Sequence, residues 1–175
     1  MTVKNLKLKI QTPAGIVFPG RGFYQLEEET LYVQLAPFSK EYRFFSFLES
    51  ERVHFDLDKE GRLLFIEVAL ARRLWLVDKD FHPPSKSQPA DIRWLNFRDK
   101  ITEPKITANA RKNAIKLLFS SEPPLYNYTL ADSIILQTSD RLHLIALYVI
   151  DIVDDIAGQE IAAFRKALGQ SNPAR

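Results

Sequence analysis

One spacing in this chain suggests chemistry directly: Asp56-Leu57-Asp58-Lys59-Glu60-Gly61, followed by Glu67. Carboxylates at the first, third, fifth and twelfth places of a loop, with glycine at the sixth, are what an oxygen cage around calcium requires. Loops of that kind stand between two helices. Here Val53-His54-Phe55-Asp56-Leu57 alternates apolar and polar residues, and Leu63 to Val68 is an apolar run of strand length. An acidic turn between two strands accounts for the same letters, so neither a metal nor a cofactor is expected.

Histidine is the usual general base, and the chain has three, His54, His82 and His143. His54 falls on the polar face of an alternating strand, His82 in a proline-bearing segment and His143 in a later strand. None lies near a serine in a nucleophile-elbow pattern, and no two have metal-ligand spacing, so all three read as structural. Acidic groups recur as Glu27-Glu28-Glu29, as Glu49 with Glu51, and as Asp151, Asp154 and Asp155. The first reads as an exposed hairpin tip and the last as a helix N-terminus. Gly15, Gly20 and Gly22 surround Pro19 without the spacing of a phosphate-binding loop. No catalytic, cofactor-binding or metal-ligating residue is therefore assigned, which leans the reading away from an enzyme without deciding it.

Aromatics gather in Phe38, Tyr42, Phe44, Phe45 and Phe47, with Lys40 and Arg43 among them and Glu41, Glu49 and Glu51 close by. That mixture suits core or interface packing better than a base-stacking platform, which interleaves aromatics with many more basic residues.

The elements that hold these residues read as mostly β. Thr30 to Leu35 sets Leu31, Val33 and Leu35 on one face against Tyr32 and Gln34 on the other. Leu63 to Leu70 and Leu74 to Val77 are apolar runs expected to form central strands. Asp58-Lys59-Glu60-Gly61 is a hairpin turn, with Gly61 free to take positive φ. Asp78 to Ala90 carries Pro83, Pro84 and Pro89 and is expected to be a linker. From Asp154-Asp155 onward, Ala157, Ile161, Phe164 and Leu168 make a helical stripe, with Lys166 near its end and Gly169 beyond it.

The second half looks like a diverged copy of the first. Leu31-Tyr32-Val33-Gln34-Leu35 recurs as Ile115-Lys116-Leu117-Leu118-Phe119, and Val53-His54-Phe55 as Ile134-Ile135-Leu136. Arg62 to Val68 recurs as Arg141 to Leu147. On that alignment the hairpin turn of the second copy shrinks to Ser139-Asp140, two residues shorter. Two related units of one chain are expected to pack as a pseudo-symmetric pair.

From Glu29 to Leu35, and again from Val53 to Val68, the first copy resembles a small bacterial domain of unknown function. That family is marked by an "LYI" strand and a "D-x-x-G-R-L-x-G-I-E-I" hairpin, here Asp58-Lys59-Glu60-Gly61-Arg62-Leu63-Leu64-Phe65-Ile66-Glu67-Val68. The resemblance covers roughly residues 23–70 and implies a compact, mainly antiparallel β unit without assigned catalytic residues. Phe65 stands where the family has glycine.

With 24 basic against 22 acidic side chains the net charge is +2, without the one-sided field of a dedicated nucleic-acid binder. Locally the balance is uneven. Arg98, Lys100, Lys105, Arg111, Lys112 and Lys116 crowd one stretch, while Glu122, Asp132, Asp140, Asp151, Asp154, Asp155 and Glu160 follow in the next. Opposite charge of this kind suits self-association or a partner surface. The absence of cysteine excludes disulfides, thiolate metal sites and cysteine nucleophiles, and suits a cytoplasmic setting. The first ten residues read as a strand rather than a signal peptide, and no apolar run approaches the ~20 residues of a membrane helix.

The resulting expectation is an α+β, mostly antiparallel β protein. It has a first module at 1–78, a linker at 79–90, a diverged second module at 91–151 and a helix at 152–169. Its expected role is a bacterial protein-interaction or scaffold module, possible as a homodimer. The second reading is a small-ligand-binding protein or small enzyme with a pocket between the modules, where Tyr24, His54 and Arg72 or Arg73 would converge.

Overall fold

The computed structural model describes residues 2–11, 19–35, 43–155, 158–163 and 166. Its strands are β1 (Thr2–Val3), β2 (Leu8–Gln11), β3 (Arg21–Gln25), β4 (Thr30–Gln34), β5 (Ser46–Glu49), β6 (Val53–Leu57) and β7 (Leu63–Val68). A 3-10 turn at Arg72–Leu74 leads into β8 (Leu76–Val77), β9 (Gln88–Pro89), β10 (Asp91–Trp94), β11 (Asp99–Ile101) and β12 (Lys105–Ala108). The remainder are β13 (Ile115–Leu118), β14 (Tyr126–Ala131), β15 (Ile134–Thr138), β16 (Leu144–Val149) and β17 (Val153–Asp154). Residues 159–163 and 166 are helical and are named α1. Among the described residues the protein is thus mostly β with one helix, and no helix there is long and apolar enough to cross a membrane.

An eight-stranded sheet runs β1-β11-β5-β6-β7-β4-β3-β17 and a seven-stranded sheet runs β8-β12-β13-β16-β15-β14-β9. Their centres share one plan. The order β5-β6-β7-β4-β3 of the first matches β14-β15-β16-β13-β12 of the second, all antiparallel. Registers match as well: Leu31 faces Val68 and Val68 faces Val53, as Ile115 faces Val149 and Val149 faces Ile134. A bulge interrupts the pairing between Asp56 and Leu57, and again between Gln137 and Thr138.

This register corrects the sequence alignment in one place. Leu63–Val68 corresponds to Leu144–Val149, two residues later than the apolar letters suggest, so the second hairpin turn has not shrunk. In the first turn the Asp58 carboxylate accepts the Glu60 and Arg62 N–H groups, and Asp58 N–H donates to Arg62 O. In the second, the Ser139 hydroxyl accepts the Arg141 and His143 N–H groups, and Ser139 N–H donates to His143 O. A slip of two residues leaves every side chain on the same face, so alternation cannot detect it.

The sheets pack face to face. Leu31, Val33, Phe55, Ile66 and Val68 of one and Ile115, Leu117, Ile134, Leu136 and Val149 of the other belong to one buried cluster. The approach is close at Gly22, where a Cβ would stand 2.9 Å from Val149 Cγ1.

Each sheet borrows its edges from the other half of the chain. β8 leaves the first half to pair, parallel, with β12, and β17 leaves the second half to pair, parallel, with β3. β11 likewise lines β5, and β2 pairs antiparallel with β10. Leu74 to Val77, expected as a central strand, is instead a turn and a two-residue edge, with Leu74 and Leu76 exposed. The run is apolar because Trp75 is its buried anchor, its indole N–H donating to Leu70 O while the chain crosses between sheets.

Outer faces are covered reciprocally. Beyond β17, Ile161 of α1 packs on Phe23, Tyr32 and Phe65, and beyond β8, Phe81 packs on the cluster containing Ile135 and Tyr148. The Asp155 carboxylate receives the Glu160 and Ile161 N–H groups at the start of α1. The helix expected from 152 starts later, because Val153–Asp154 is β17 and helix is described only from 159; of the expected stripe, Ala157, Phe164 and Leu168 lie outside the described residues.

Candidate functional site

The four carboxylates of the calcium-like spacing do not converge. Asp58 is buried and committed to its own turn, and Glu60 pairs with Arg62 at 3.3 Å and Arg93 at 3.8 Å. Arg93 also grips Asp91 in two bonds of 2.7 and 2.9 Å, which holds the Asp91 carboxyl below its ordinary pKa. These residues tie the first hairpin turn to β10. Gly61 seals the contact, with φ of 83° and its carbonyl accepting the Trp94 N–H at 2.8 Å. Asp56 and Glu67 point to the outer face instead. Among the described residues no cluster of three or more His, Asp or Glu side chains is arranged to hold a metal ion.

On that outer face the register sets one row across the sheet: Phe23, Tyr32, Glu67, His54, Glu49, Lys100 and Thr2. His54 sits at its centre. Its Nδ1 lies 3.2 Å from Glu49 and its Nε2 3.0 Å from Asp56, and the Phe47 ring stacks over it at 5.8 Å. The hydrogen bond to Asp56 raises the His54 pKa, against opposition from burial, with Glu49 and Glu67 adding to the rise. An imidazole with carboxylates at both nitrogens is best satisfied when doubly protonated, which is the direction of the rise. The matching row of the second sheet reads Thr107, Lys116, Tyr148, Ile135 and Thr129, without a titratable cluster at its centre.

The other sequence candidates separate. His82 is exposed, and buried His143 meets Glu122 at 3.0 Å, in an antiparallel bridge to Lys7 one residue before β16. Tyr24 and Arg72 do meet: the guanidinium lies 4.2 Å over the Tyr24 ring and pairs with Asp154, while Tyr24 Oη accepts the Arg72 N–H at 2.9 Å. Tyr24 faces the inner core opposite Leu31, so His54 is on the other side of the sheet and the three do not share a pocket. Arg73 turns outward to Glu29.

The arrangement that sequence reading missed lies where the segment after β10 meets the start of β5. Phe45 and Phe97 are 49% and 51% exposed with ring centroids 5.5 Å apart, and Leu95 is 58% exposed. The Arg98 guanidinium lies over both rings, at 5.7 and 5.0 Å, with one N–H donating to Phe45 O. Arg98 has φ of 48° and its backbone N–H is held by the Ser46 hydroxyl at 3.0 Å. A residue that is neither glycine nor asparagine held in the left-handed region costs on the order of 1 kcal/mol or more. The sequence signal available was Leu95-Asn96-Phe97-Arg98, but nothing local ties it to Phe45, more than fifty positions earlier.

No protein-family model matches the chain, and no curated protein matches its sequence.

Proposed function

We propose that this chain is a non-enzymatic protein-interaction module built from two diverged copies of one β unit. Equal strand order, register, bulge position and turn hydrogen bonding in the two sheets support the duplication. For the amphipathic helix, the support is the burial of Ile161 in α1 against Phe23, Tyr32 and Phe65.

The observation that carries the interaction reading is the solvent-exposed cluster of Phe45, Leu95, Phe97 and Arg98. Aromatic side chains and arginine are the residue types that concentrate binding energy at protein interfaces. The duplicate supplies an internal comparison. Trp94 N–H donates to Gly61 O as Leu8 N–H donates to Leu142 O, which sets Leu8 against Trp94. On that count Lys9 and Gln11, both exposed, stand where the second half has Leu95 and Phe97. The fold is satisfied by polar residues at those positions, so apolar ones there serve something other than packing.

Two measurements test the reading. A thermal-shift panel of divalent ions, nucleotides and common cofactors is expected to be flat. A ligand at a hundred times its dissociation constant stabilises by about 2.7 kcal/mol, roughly 5 to 10 °C for a chain of this size, and such a shift would overturn the non-enzymatic reading. Selection of a random displayed-peptide library on the folded protein is expected to enrich a sequence family. A library that enriches nothing over the unfolded control would overturn the interaction reading.

A further inference from the structure

We infer that the Phe45–Phe97–Arg98 cluster is a docking site for an acidic protein segment, one that sets a carboxylate beside an apolar side chain. This rests on the interaction reading and names the partner chemistry for it. Arg98 makes no ion pair among the described residues. The nearest carboxylate in sequence, Asp99, accepts the Phe97 N–H at 3.2 Å instead. A guanidinium laid across two rings and fixed by a backbone carbonyl has already given up much of its rotamer freedom, which lowers the cost of binding. Its remaining N–H donors match the geometry of a carboxylate. The apolar ground around it, Phe45, Phe97 and Leu95, is half exposed or more, and Arg43, two residues before Phe45, is exposed and adds positive charge. An apolar floor with an unspent cation selects a ligand that is apolar and anionic together.

The equivalent place on the other sheet sharpens the assignment. Leu125 corresponds to Phe45, since each N–H donates at 2.8 Å to the paired strand, Leu125 to Thr138 O and Phe45 to Leu57 O. By the same count Lys9 and Gln11 stand where Leu95 and Phe97 do, and Leu125 offers no ring at the place of Phe45. Among the described residues only this end carries the aromatic and arginine set, so one site per chain is expected.

The test uses the full chain and the same random peptide library. Enriched peptides should carry Asp or Glu next to an apolar residue, and a labelled synthetic copy should bind with 1:1 stoichiometry. Replacing the peptide's acid by its amide should weaken binding about tenfold, and R98A and F97S should do the same or more. R98K, which keeps charge without the planar fork, should fall between. F97L, which keeps the apolar contact, checks that losses do not come from misfolding, as do melting curves of all four variants. Peptides that bind R98A and F97S as tightly as the parent would overturn the site while leaving the interaction reading intact. An empty selection would overturn both. A labelled oligothymidine bound with loss in R98A and F97S, and no enriched peptide, would replace the acidic segment by single-stranded nucleic acid.

Discussion

At the scale of single residues, the two hairpin turns form a natural experiment in backbone strain. Gly61 and Leu142 hold equivalent left-handed positions, with φ of 83° and 58°. At Gly61 a Cβ would press into the Trp94 carbonyl oxygen, so Gly61→Ala combines positive φ with a backbone clash. It should cost about 2 kcal/mol or more by denaturant unfolding. Leu142→Gly exchanges relief of strain for the loss of a half-buried side chain and should fall within about 0.5 kcal/mol of the parent. Equal costs at the two sites would show that the Trp94 contact is not what demands glycine. His54 is the second residue-scale case. Its folded pKa is raised above the ordinary 6.5 by Asp56 first, with Glu49 and Glu67 helping. A raised pKa stabilises the folded state fully below the unfolded value, and that contribution disappears as pH climbs through the folded value. His54→Gln should therefore cost more stability near about pH 5.5 than near about pH 8.5. A pH-independent cost would mean that the stacking of Phe47, rather than the imidazolium charge, is what His54 contributes.

At the scale of elements, reciprocity is the rule. Each half sends a short strand and one apolar side chain over to the other, Val153–Asp154 with Ile161 in one direction and Leu76–Val77 with Phe81 in the other. In α1 the arrangement depends on Asp155, whose N–H donates to Tyr24 O at 2.9 Å while its carboxylate takes two helical N–H groups. Asp155→Ala should cost about 1 kcal/mol and loosen Ile161 from Phe23, Tyr32 and Phe65, seen as faster amide exchange over residues 158–163. Unchanged exchange there would mean that Ile161 alone seats the helix. The strands of this layout were largely legible, because alternation in Thr30–Leu35 and Val53–Leu57 reports one buried face directly. The exchange of edges was not. Leu74 to Val77 carries the letters of a buried strand, yet only Trp75 is buried, since a crossing segment needs one anchor rather than a covered face. Nor does the exposed aromatic and arginine cluster announce itself, because Phe45 and Phe97 meet only through the parallel pairing of β11 with β5. Long-range pairings of that kind leave no periodic trace in sequence.

At the scale of the whole molecule, the exchanged edges and the shared core give the two halves little reason to stand alone. β2 pairs with β10, the first turn is pinned to β10 through Glu60 and Arg93, and the second turn is pinned to β2 through Leu142 and Leu8. Inner residues of both sheets are fully buried against one another, so separation would expose an apolar face on each. The covalent link is needed for little of this. Ser85 and Lys86 are exposed and lie between Phe81, which packs on the second sheet, and β9, which pairs with β14. Cleavage at a protease site built between Ser85 and Lys86 should therefore leave two fragments that co-elute with the uncut chain under native conditions. Their joint melting temperature should rise with protein concentration, as it must when unfolding releases two chains, whereas that of the uncut protein should not. Fragments that separate on a sizing column, each retaining its own cooperative unfolding, would show two self-sufficient domains. That result would remove the reciprocal exchange of edges as the reason for the fold's stability.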